Sequence, residues 1–273
     1  MPTTQTMMNR YKGVVNPALV GKMFRLERYL PEPDLAPFIE YFWLVAWTLP
    51  DGVVHVQRTL PSPCIHVVFE RGRTAVFGVM TGAFEITLRD SGRVLGARFR
   101  PGAFHGFLGQ PVQSATDREL PLSSLFHCDD AEAERSVLDA PDDGAMVAAA
   151  SAVIRRAVPA SPDPEIERIG AILQAIQQQP GITQVQQLAD HLDISVRRLQ
   201  MLFKEYVGAT PKWVIRRNRL LDAADLLAND ADIDLASLAQ ALGYYDQAHF
   251  TTDFEKLVGK PPADYRRSCK QPP

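Results

Sequence analysis

The chain has 273 residues, of which 46% are hydrophobic, and this is enough for about two packed domains. Its formal net charge of −3 excludes a protein that coats nucleic acid with its whole surface, so any contact with nucleic acid must come from local charge. The sequence contains no apolar run of about 18 residues and no secretory signal pattern, which argues against a membrane partner or export.

The N-terminal half shows the patterns of β-strands. Residues 1–23 have little periodicity, which predicts a flexible arm. From Val53 to Phe99, short apolar or alternating segments are separated by turn residues, and Asp90-Ser91-Gly92 predicts a hairpin turn because glycine accepts positive φ. This spacing predicts an antiparallel barrel or sandwich within a domain of residues 24–158. The last segments of that domain are predicted to be helical: 122–126, 131–138 and 144–158.

A proline-rich segment divides the chain. Residues 159–164 contain three prolines, which prevent helix continuation and stiffen the joint. Beyond it, from 165 to 268, apolar residues recur at helical spacing. The sequence therefore predicts an α+β protein, with an N-terminal antiparallel β-barrel-like domain and helical appendage followed by an all-α domain.

One pattern occurs twice within the all-α domain. The first copy contains Leu188-Ala189, Leu192, Ser195, Leu199, Phe203 and Gly208, and the second contains Leu238-Ala239, Leu242, Asp246, Phe250, Phe254 and Gly259. Each copy predicts a short apolar helix, a tight turn, an N-cap residue and a longer amphipathic helix. This is the order of elements in a helix-turn-helix, whose second helix enters the major groove. We therefore predict double-stranded DNA as the partner of two such motifs, joined by a helix that starts at Pro211.

Both copies resemble the AraC family of transcription regulators. The segment Ser195 to Lys204, with Gly208 and Pro211, resembles that family's first helix-turn-helix. The C-terminal signature of the family is matched by Gly243 to Phe250, Phe254, Gly259, Pro261-Pro262 and Tyr265-Arg266. Upstream, the segments that look like the barrel-like domain attached to such regulators are Leu26 to Tyr29, Phe77-Gly78 and Gly96 to Gly102. The resemblance implies a sensor or dimerisation module in front of the DNA-binding domain.

The two recognition helices supply the candidate DNA contacts. The base-edge candidates are Arg197, Gln200 and Met201 in the first copy, implied by the resemblance, with Gln247, Thr251 and Thr252 in the second. Arginine can bind O6 and N7 of guanine, and glutamine can pair with adenine. The phosphate candidates are Arg198, Lys204, Arg216, Arg217 and His249. Two alternatives stay open. Arg197 and Arg198 are either only solvent-exposed charges on a helix face or contacts to phosphates. The arginines of the linking helix form salt bridges to Asp222 and Asp225 instead of contacting phosphates.

Charge is distributed unequally between the two copies. Residues 196–219 carry seven basic residues and one acidic residue, a net charge of +6, whereas residues 220–258 carry one basic and eight acidic residues, a net charge of −7. Thr252 and Met201 also stand where the resembled family usually has arginine, and Ala248 where serine is common. Because phosphate neutralisation supplies much of the affinity for DNA, the first copy is predicted to be the stronger anchor.

The residues needed for catalysis or a metal site occur only as fragments. His66 and Glu70 lie four apart on a predicted strand, but the His-x-His motif of metal-binding cupin barrels is absent. No Gly-rich phosphate loop and no Gly-x-Ser-x-Gly motif occurs. The cysteines, Cys64, Cys128 and Cys269, lack Cys-x-x-Cys spacing and are typical of packing residues in a reducing cytoplasm. We expect a cytoplasmic protein that is not an enzyme and has no metal or cofactor.

The role of the N-terminal domain is left open by the sequence. Its candidate pocket residues, Trp43, His66, Phe69, Phe77 and Phe99, either line a site for a small-molecule effector or simply pack as core. The domain therefore either senses an effector or only forms a homodimer, and RNA polymerase is a further candidate partner. The alternative function is an interaction or dimerisation module with weakened DNA binding.

Overall fold

The computed structural model describes residues 24–229 and 233–270. The arm predicted for residues 1–23 lies outside the described residues, as do Asp230 and Asp232 of the acidic second copy. Within the described ranges, no helix is both long and apolar enough to cross a membrane.

The N-terminal domain is built on antiparallel strands. The strands are β1 (Phe24–Tyr29), β2 (Ile39–Thr48), β3 (Val54–Thr59), β4 (His66–Phe69), β5 (Ala75–Phe77), β6 (Phe84–Arg89), β7 (Ser91–Phe99) and β8 (Glu119–Leu120). Six of them form one sheet in the order β1-β2-β7-β4-β5-β8, and β3 pairs with β6 in a second sheet. The predicted antiparallel, α+β architecture is confirmed, although the large sheet is open rather than a closed barrel.

The hairpin predicted at Asp90-Ser91-Gly92 is wrong. Strand β6 pairs with β3 and strand β7 with β2 and β4, so the chain passes here from one sheet to the other. The positive φ of 50° falls on Asp90, not on Gly92. Gly92 serves packing instead, because a Cβ there would lie 2.4 Å from a ring carbon of Trp47. Gly96 gives the same space to Trp43, whose ring would be 2.2 Å from an added Cβ.

The large sheet has two faces that are covered differently. The first, here called the helix-covered face, carries Phe42, Phe69 and Phe99, which are fully buried in a core shared with the helices that follow the sheet. The opposite face, here called the inner face, carries Trp43 and Phe77 and is partly covered by β6 of the small sheet. Successive residues of a strand point to opposite faces, so this separation follows directly from the register.

Short helices follow the sheet and form the predicted appendage. They are α1 (His105–Leu108), α2 (Ser123–Phe126), α3 (Asp130–Leu138) and α4 (Asp143–Arg155), with a 3-10 turn at Val112–Ala115. Asp129 and Asp142 cap α3 and α4 by accepting hydrogen bonds from the backbone amides of Glu132 and Ala145. Arg25 and Tyr29 of β1 both donate to Asp143, which fastens α4 to the edge of the sheet.

The C-terminal helices include both predicted helix-turn-helix motifs. They are α5 (Glu165–Gln178), α6 (Val185–His191), α7 (Val196–Leu202), α8 (Pro211–Asn229), α9 (Leu235–Ala241), α10 (Gln247–Val258) and α11 (Pro262–Lys270). Helices α6 and α7 form the first motif, α9 and α10 the second, and α8 is the linking helix. The predicted N-caps are both present, since Ser195 accepts from the amide of Arg198 and Asp246 from that of His249.

One hydrophobic core continues from the N-terminal domain into the first motif. Fully buried members of this core include Phe104 beside the sheet, Ile169 of α5 and Phe203 after α7. Gly102 lies close to α5, where an added Cβ would be 3.4 Å from Ile169. The second motif has a separate core around α8, α9 and α10. The domain boundary at 159–164 stays a prediction, but the two sides of it are packed together.

Candidate nucleic-acid interface

The first recognition helix exposes the residues predicted to face DNA. Helix α7 buries Leu199 and Leu202, while Arg197, Gln200 and Met201 are exposed on the other face. Met201, a large apolar side chain, is 49% exposed on this face. The pattern arises because apolar residues recur every three to four positions and are drawn into the core.

Two further cations extend this exposed face. Arg198 and Lys204 are exposed, and neither they nor Arg197 form an ion pair within residues 24–229 and 233–270. Unpaired cations on one face produce the positive local potential that attracts phosphate. Beyond Leu202 the helix widens into a π-turn, Phe203–Val207, which ends at Gly208 with φ 80°. The first recognition helix therefore changes its twist after α7.

The second recognition helix, α10, exposes fewer side chains that could contact DNA. Gln247 is exposed at the start of α10, and Thr251 is partly buried. The hydroxyl of Thr252 donates to the carbonyl of Ala248 at 3.0 Å, so its proton is used within the helix and its oxygen remains as an acceptor. Tyr245, which was not among the predicted DNA contacts, precedes the N-cap and is 96% exposed. The base-edge roles of this helix stay predictions.

The buried carboxylate of Asp253 lies beside two of the predicted phosphate contacts, Arg216 and His249. Asp253 is only 6% exposed, and Nη1 of Arg216 lies 3.5 Å from each of its oxygens. Nε2 of His249 lies 3.6 Å from the same carboxylate. Arg216 thus pairs with Asp253, a partner that the sequence did not predict. Asp253 is one of the eight acidic residues of segment 220–258, so part of the acidic charge of this segment is buried and lies beside basic side chains.

Replacing Asp253 by asparagine is expected to lower the free energy of unfolding by about 1 kcal/mol, because the side chain no longer attracts Arg216 and His249 as a charged acceptor. Urea unfolding of the full chain measures this change. Arg216→Gln is the matched control, since it removes one partner and leaves the carboxylate in place. A variant as stable as the parent would show that Asp253 does not hold these cations.

The structure contradicts the prediction that Arg217 contacts phosphate. Its Nε donates to the carbonyl of Pro61 in the N-terminal domain, and its Nη1 donates to Asn218 at 3.3 Å. Burial, opposed by Cys64 and reinforced by the charge of Arg98, lowers the pKa of Arg217 to about 10. Arg217 therefore faces the sheet domain, whereas Arg216 beside it is exposed. Neighbouring residues of a helix point about 100° apart, so packing on one side separates their environments.

Comparisons with known proteins agree with these motifs. A family model described as a helix-turn-helix domain matches residues 188–268. The probable transcription factor PqrA of Proteus vulgaris is 32% identical to this chain over 97 residues, which cover 36% of the chain and 78% of PqrA. The chain belongs to the AraC family of transcription regulators. Members of this family are transcription regulators rather than enzymes.

Other AraC-family relatives are longer than the part they share with this chain. The HTH-type transcriptional activator RhaS of Pectobacterium carotovorum is 34% identical over 82 residues, which are 30% of this chain and 29% of RhaS. The chain thus spans less than a third of the length of the first curated relatives that it matches. Among solved structures, the C-terminal domain of AraT, a response regulator from Geobacillus stearothermophilus, is 28% identical and covers 39% of this chain and 86% of its own, with a TM-score of 0.33.

The N-terminal part of this AraC-family chain matches a different model. Residues 27–121 match a family described as Domain of unknown function (DUF6597). This range contains every strand from β2 to β8 and the second half of β1. That family description names no ligand for these residues.

The N-terminal domain is fixed to the first motif of this AraC-type domain. Thr116 donates to the carbonyl of Gly208 at 2.5 Å, and the indole of Trp213 donates to the carbonyl of Thr81 at 3.1 Å. Nε2 of His105 lies 2.8 Å from Glu205 in the π-turn. An open cleft of about 260 Å³ beside this contact is lined by Gln113 of the N-terminal domain, Val185 of α6, the recognition-helix residues Gln200 and Lys204, and Gly208 to Lys212. The recognition helix is therefore anchored at its C-terminal end to the sheet domain.

The five predicted pocket residues do not lie together. Trp43, His66 and Phe77 belong to the inner face, whereas Phe69 and Phe99 are core residues on the helix-covered face. The prediction of one pocket lined by all five residues is therefore wrong, because side chains alternate along a strand and the two groups lie on opposite sides of the sheet.

The surroundings of His66 on the inner face determine the protonation state of its imidazole. The indole nitrogen of Trp43 donates to Nδ1 of His66 at 3.1 Å. Burial, and next the charge of Arg98, lower the pKa of His66 to about 3, so the imidazole is neutral. Among the residues that the structure describes, no group of three or more His, Cys, Asp and Glu side chains could hold a metal ion.

Proposed function

We propose that the chain is a sequence-specific DNA-binding transcription regulator whose two recognition helices enter successive major grooves. The observation that carries this proposal is the exposed row of Arg197, Gln200, Met201 and Lys204 on a helix whose opposite face is buried. Unpaired cations beside an amide and an apolar side chain suit phosphate contact and base recognition together. Membership of the AraC family supports the same function.

The linking helix supports binding to two grooves on one side of the DNA. Helix α8 has 19 residues and spans about 28 Å at ~1.5 Å per residue. With the width of the flanking motifs, a separation of about 34 Å between recognition helices, one turn of DNA, is expected. Selection of bound fragments from random DNA tests this proposal. A site covering two half-sites about one turn apart supports it, and equal recovery of all sequences contradicts it.

We expect the two helix-turn-helix motifs to contribute unequally to the affinity for DNA. Gln247→Ala is predicted to weaken specific binding less than Arg197→Ala, because the second helix has few cations beside it and Gln247 forms a neutral contact. Mobility-shift titrations of both variants on one selected site compare the two effects. A larger effect for Gln247→Ala would contradict the unequal arrangement.

The N-terminal domain is proposed to sense a small-molecule effector on its inner face. The contacts of Thr116 with Gly208 and of Trp213 with Thr81 support a direct route from this domain to the first motif. A homodimer and contact with RNA polymerase are further proposals for this regulator, which we place in the cytoplasm. A thermal-shift titration of the full chain tests the effector, since a ligand that binds the folded state raises the melting temperature with its concentration.

The second candidate function is an interaction module with weakened DNA binding. The net charge of −7 in residues 220–258 favours it. A salt titration separates the two functions, because phosphate contacts make affinity fall steeply with salt. No binding at low salt would support the interaction module and contradict DNA regulation.

A further inference from the structure

The open cleft between the N-terminal domain and the first recognition helix, here called the interdomain cleft, has walls from both domains. The DNA-binding domain contributes Val185, Gln200, Lys204 and residues 208–212, and the 3-10 turn of the N-terminal domain contributes Gln113. Gln200 also belongs to the exposed row of α7 that is proposed to face DNA. The cleft is therefore continuous with the candidate DNA interface, and Gln113 is a residue that the N-terminal domain adds to it.

Contacts of the 3-10 turn hold Gln113 beside the recognition helix. An added Cβ on Gly208 would lie 2.9 Å from Cγ1 of Val112 and 3.2 Å from the hydroxyl oxygen of Thr116, so the turn that follows the recognition helix packs tightly here. Thr116 also donates a hydrogen bond to the carbonyl of Gly208. Val112 precedes Gln113, and Thr116 ends the same 3-10 turn. The side chain of Gln113 is exposed, so its amide can donate to a partner outside the chain.

The interdomain cleft has a positive charge. Lys204 and Lys212 line it, both are exposed, and neither forms an ion pair within residues 24–229 and 233–270. Of the described residues that line the cleft, none is acidic. The acidic residues nearest in sequence are engaged elsewhere, since Glu205 lies 2.8 Å from Nε2 of His105 and Asp117 accepts hydrogen bonds within the N-terminal domain. The lining groups therefore favour an anion.

The openness of the cleft indicates which anion it suits. Two ammonium groups and the amides of Gln113 and Gln200 supply hydrogen-bond donors for the oxygens of a phosphate. A site for a small molecule encloses most of its ligand, whereas this cleft is open to solvent. A polymer that runs past the opening has to place only one phosphate in it. DNA bound by α7 meets this requirement, because Gln200 belongs to the recognition helix and to the wall of the cleft.

We propose that the interdomain cleft binds a phosphodiester group of the DNA backbone and that Gln113 is a DNA contact contributed by the N-terminal domain. The proposal rests on the proposed DNA-binding function and adds to it a contact outside the helix-turn-helix motifs. Lys204 and Lys212 attract the phosphate, and the amide of Gln113 donates a hydrogen bond to one of its oxygens. The affinity of the whole chain for DNA therefore depends on the packing of its two domains.

A charge series at residue 113 tests this contact. Gln113→Lys, Gln113→Ala and Gln113→Glu are compared with the parent in mobility-shift titrations on the selected site and on random DNA. Gln113→Lys is expected to strengthen binding to both DNAs and to increase the salt dependence by about one ion, because the added ammonium neutralises one more phosphate. Gln113→Ala is expected to weaken binding about threefold to tenfold through the lost hydrogen bond. Gln113→Glu is expected to weaken it by roughly tenfold or more, because the added carboxylate repels the phosphate.

Gln110 provides the matched control for this series. It is an exposed glutamine three residues before Gln113, and it does not line the cleft. Gln110→Lys and Gln110→Glu change the net charge by the same amount, so they measure attraction without contact. Equal effects at the two positions, or parent-like binding by Gln113→Ala, overturn the proposal. Tighter binding by Gln113→Ala also overturns it, because the N-terminal domain would then obstruct DNA.

Ethylation of single phosphates in the selected site locates the contact. Ethylation of a phosphate beside the first half-site is expected to interfere with binding by the parent, and Gln113→Ala is expected to lose part of this sensitivity at the same phosphate. An unchanged pattern in Gln113→Ala contradicts a backbone contact of Gln113.

Inorganic phosphate is the other source of the same chemistry. Thermal unfolding without DNA compares sodium phosphate with sodium chloride at equal ionic strength. A saturable rise in melting temperature that requires Gln113, together with parent-like DNA binding by Gln113→Ala, would assign the cleft to a free anion and overturn the proposal.

The parent protein separates this proposal from the proposed function. A parent that binds no DNA at low salt contradicts the regulator function and the phosphate contact together. A parent that binds the selected site, with equal series at residues 113 and 110, overturns the contact of Gln113 alone. The melting temperature of each variant is measured in parallel and is expected to match the parent, because both glutamines are exposed.

Discussion

Replacing Arg197 by alanine is expected to weaken binding to the selected DNA site by about 1–3 kcal/mol, which is roughly tenfold to a hundredfold in the dissociation constant. Arg197 is exposed in the first turn of α7, next to the N-cap Ser195, and has no ion-pair partner within the described ranges. A side chain at this end of a recognition helix can reach the edge of a base. A guanidinium bound to O6 and N7 of guanine loses both hydrogen bonds in the variant, so the effect should depend on sequence.

The comparison of specific with random DNA identifies the type of contact. Mobility-shift titrations of Arg197→Ala should show a much larger decrease in affinity for the selected site than for random DNA. Arg198→Ala is the matched control, because removing a phosphate-binding side chain at the next residue should weaken binding to both DNAs about equally. Equal decreases for Arg197→Ala on both DNAs would show that this residue also binds phosphate only.

Replacing Phe203 by alanine is expected to lower the free energy of unfolding by about 3–5 kcal/mol. Phe203 is fully buried in the core that joins the N-terminal domain to the first motif, and it begins the π-turn after α7. The deletion leaves a cavity beside the recognition helix, and the C-terminal end of this helix would no longer be held by the core. Urea unfolding of the full chain, followed by circular dichroism, measures the change.

Met201→Ala separates this effect from DNA contact. Met201 lies two residues before Phe203 and is 49% exposed, so its truncation should change stability by less than about 0.5 kcal/mol. If Met201 faces DNA, the same variant weakens binding while remaining folded. A decrease in stability for Phe203→Ala that is no larger than that for Met201→Ala would contradict the common core.

The two helix-turn-helix motifs could be predicted because their signals are local. Ser195 and Asp246 cap the recognition helices through hydrogen bonds to amides three residues later, and such contacts depend on short sequence separations. The apolar spacing of Leu199, Leu202 and Phe203 likewise selects the buried face. The exposure of Arg197 and Gln200 follows from the same spacing.

The partners of the linking-helix cations could not be predicted. Arg216 and Arg217 are adjacent and chemically identical, yet one pairs with Asp253 and the other contacts Pro61. Asp253 lies 37 residues from Arg216, and Pro61 lies 156 residues from Arg217. Sequence spacing carries no information on contacts at such separations, since they arise only when whole elements pack together.

The sequence alone determined the family, the order of strands before helices, and the face of each recognition helix that is free to meet DNA. Tertiary structure decided the contents of the inner face, because alternation along a strand separates Phe69 from His66 and Val68 but does not say which set the helices cover. It also brought Arg217 of the linking helix against Pro61 of the N-terminal domain, and Arg98 against Glu40. Interdomain packing and strand register bring these groups together, and both depend on burial of apolar surface across the whole fold, a property that no short segment encodes.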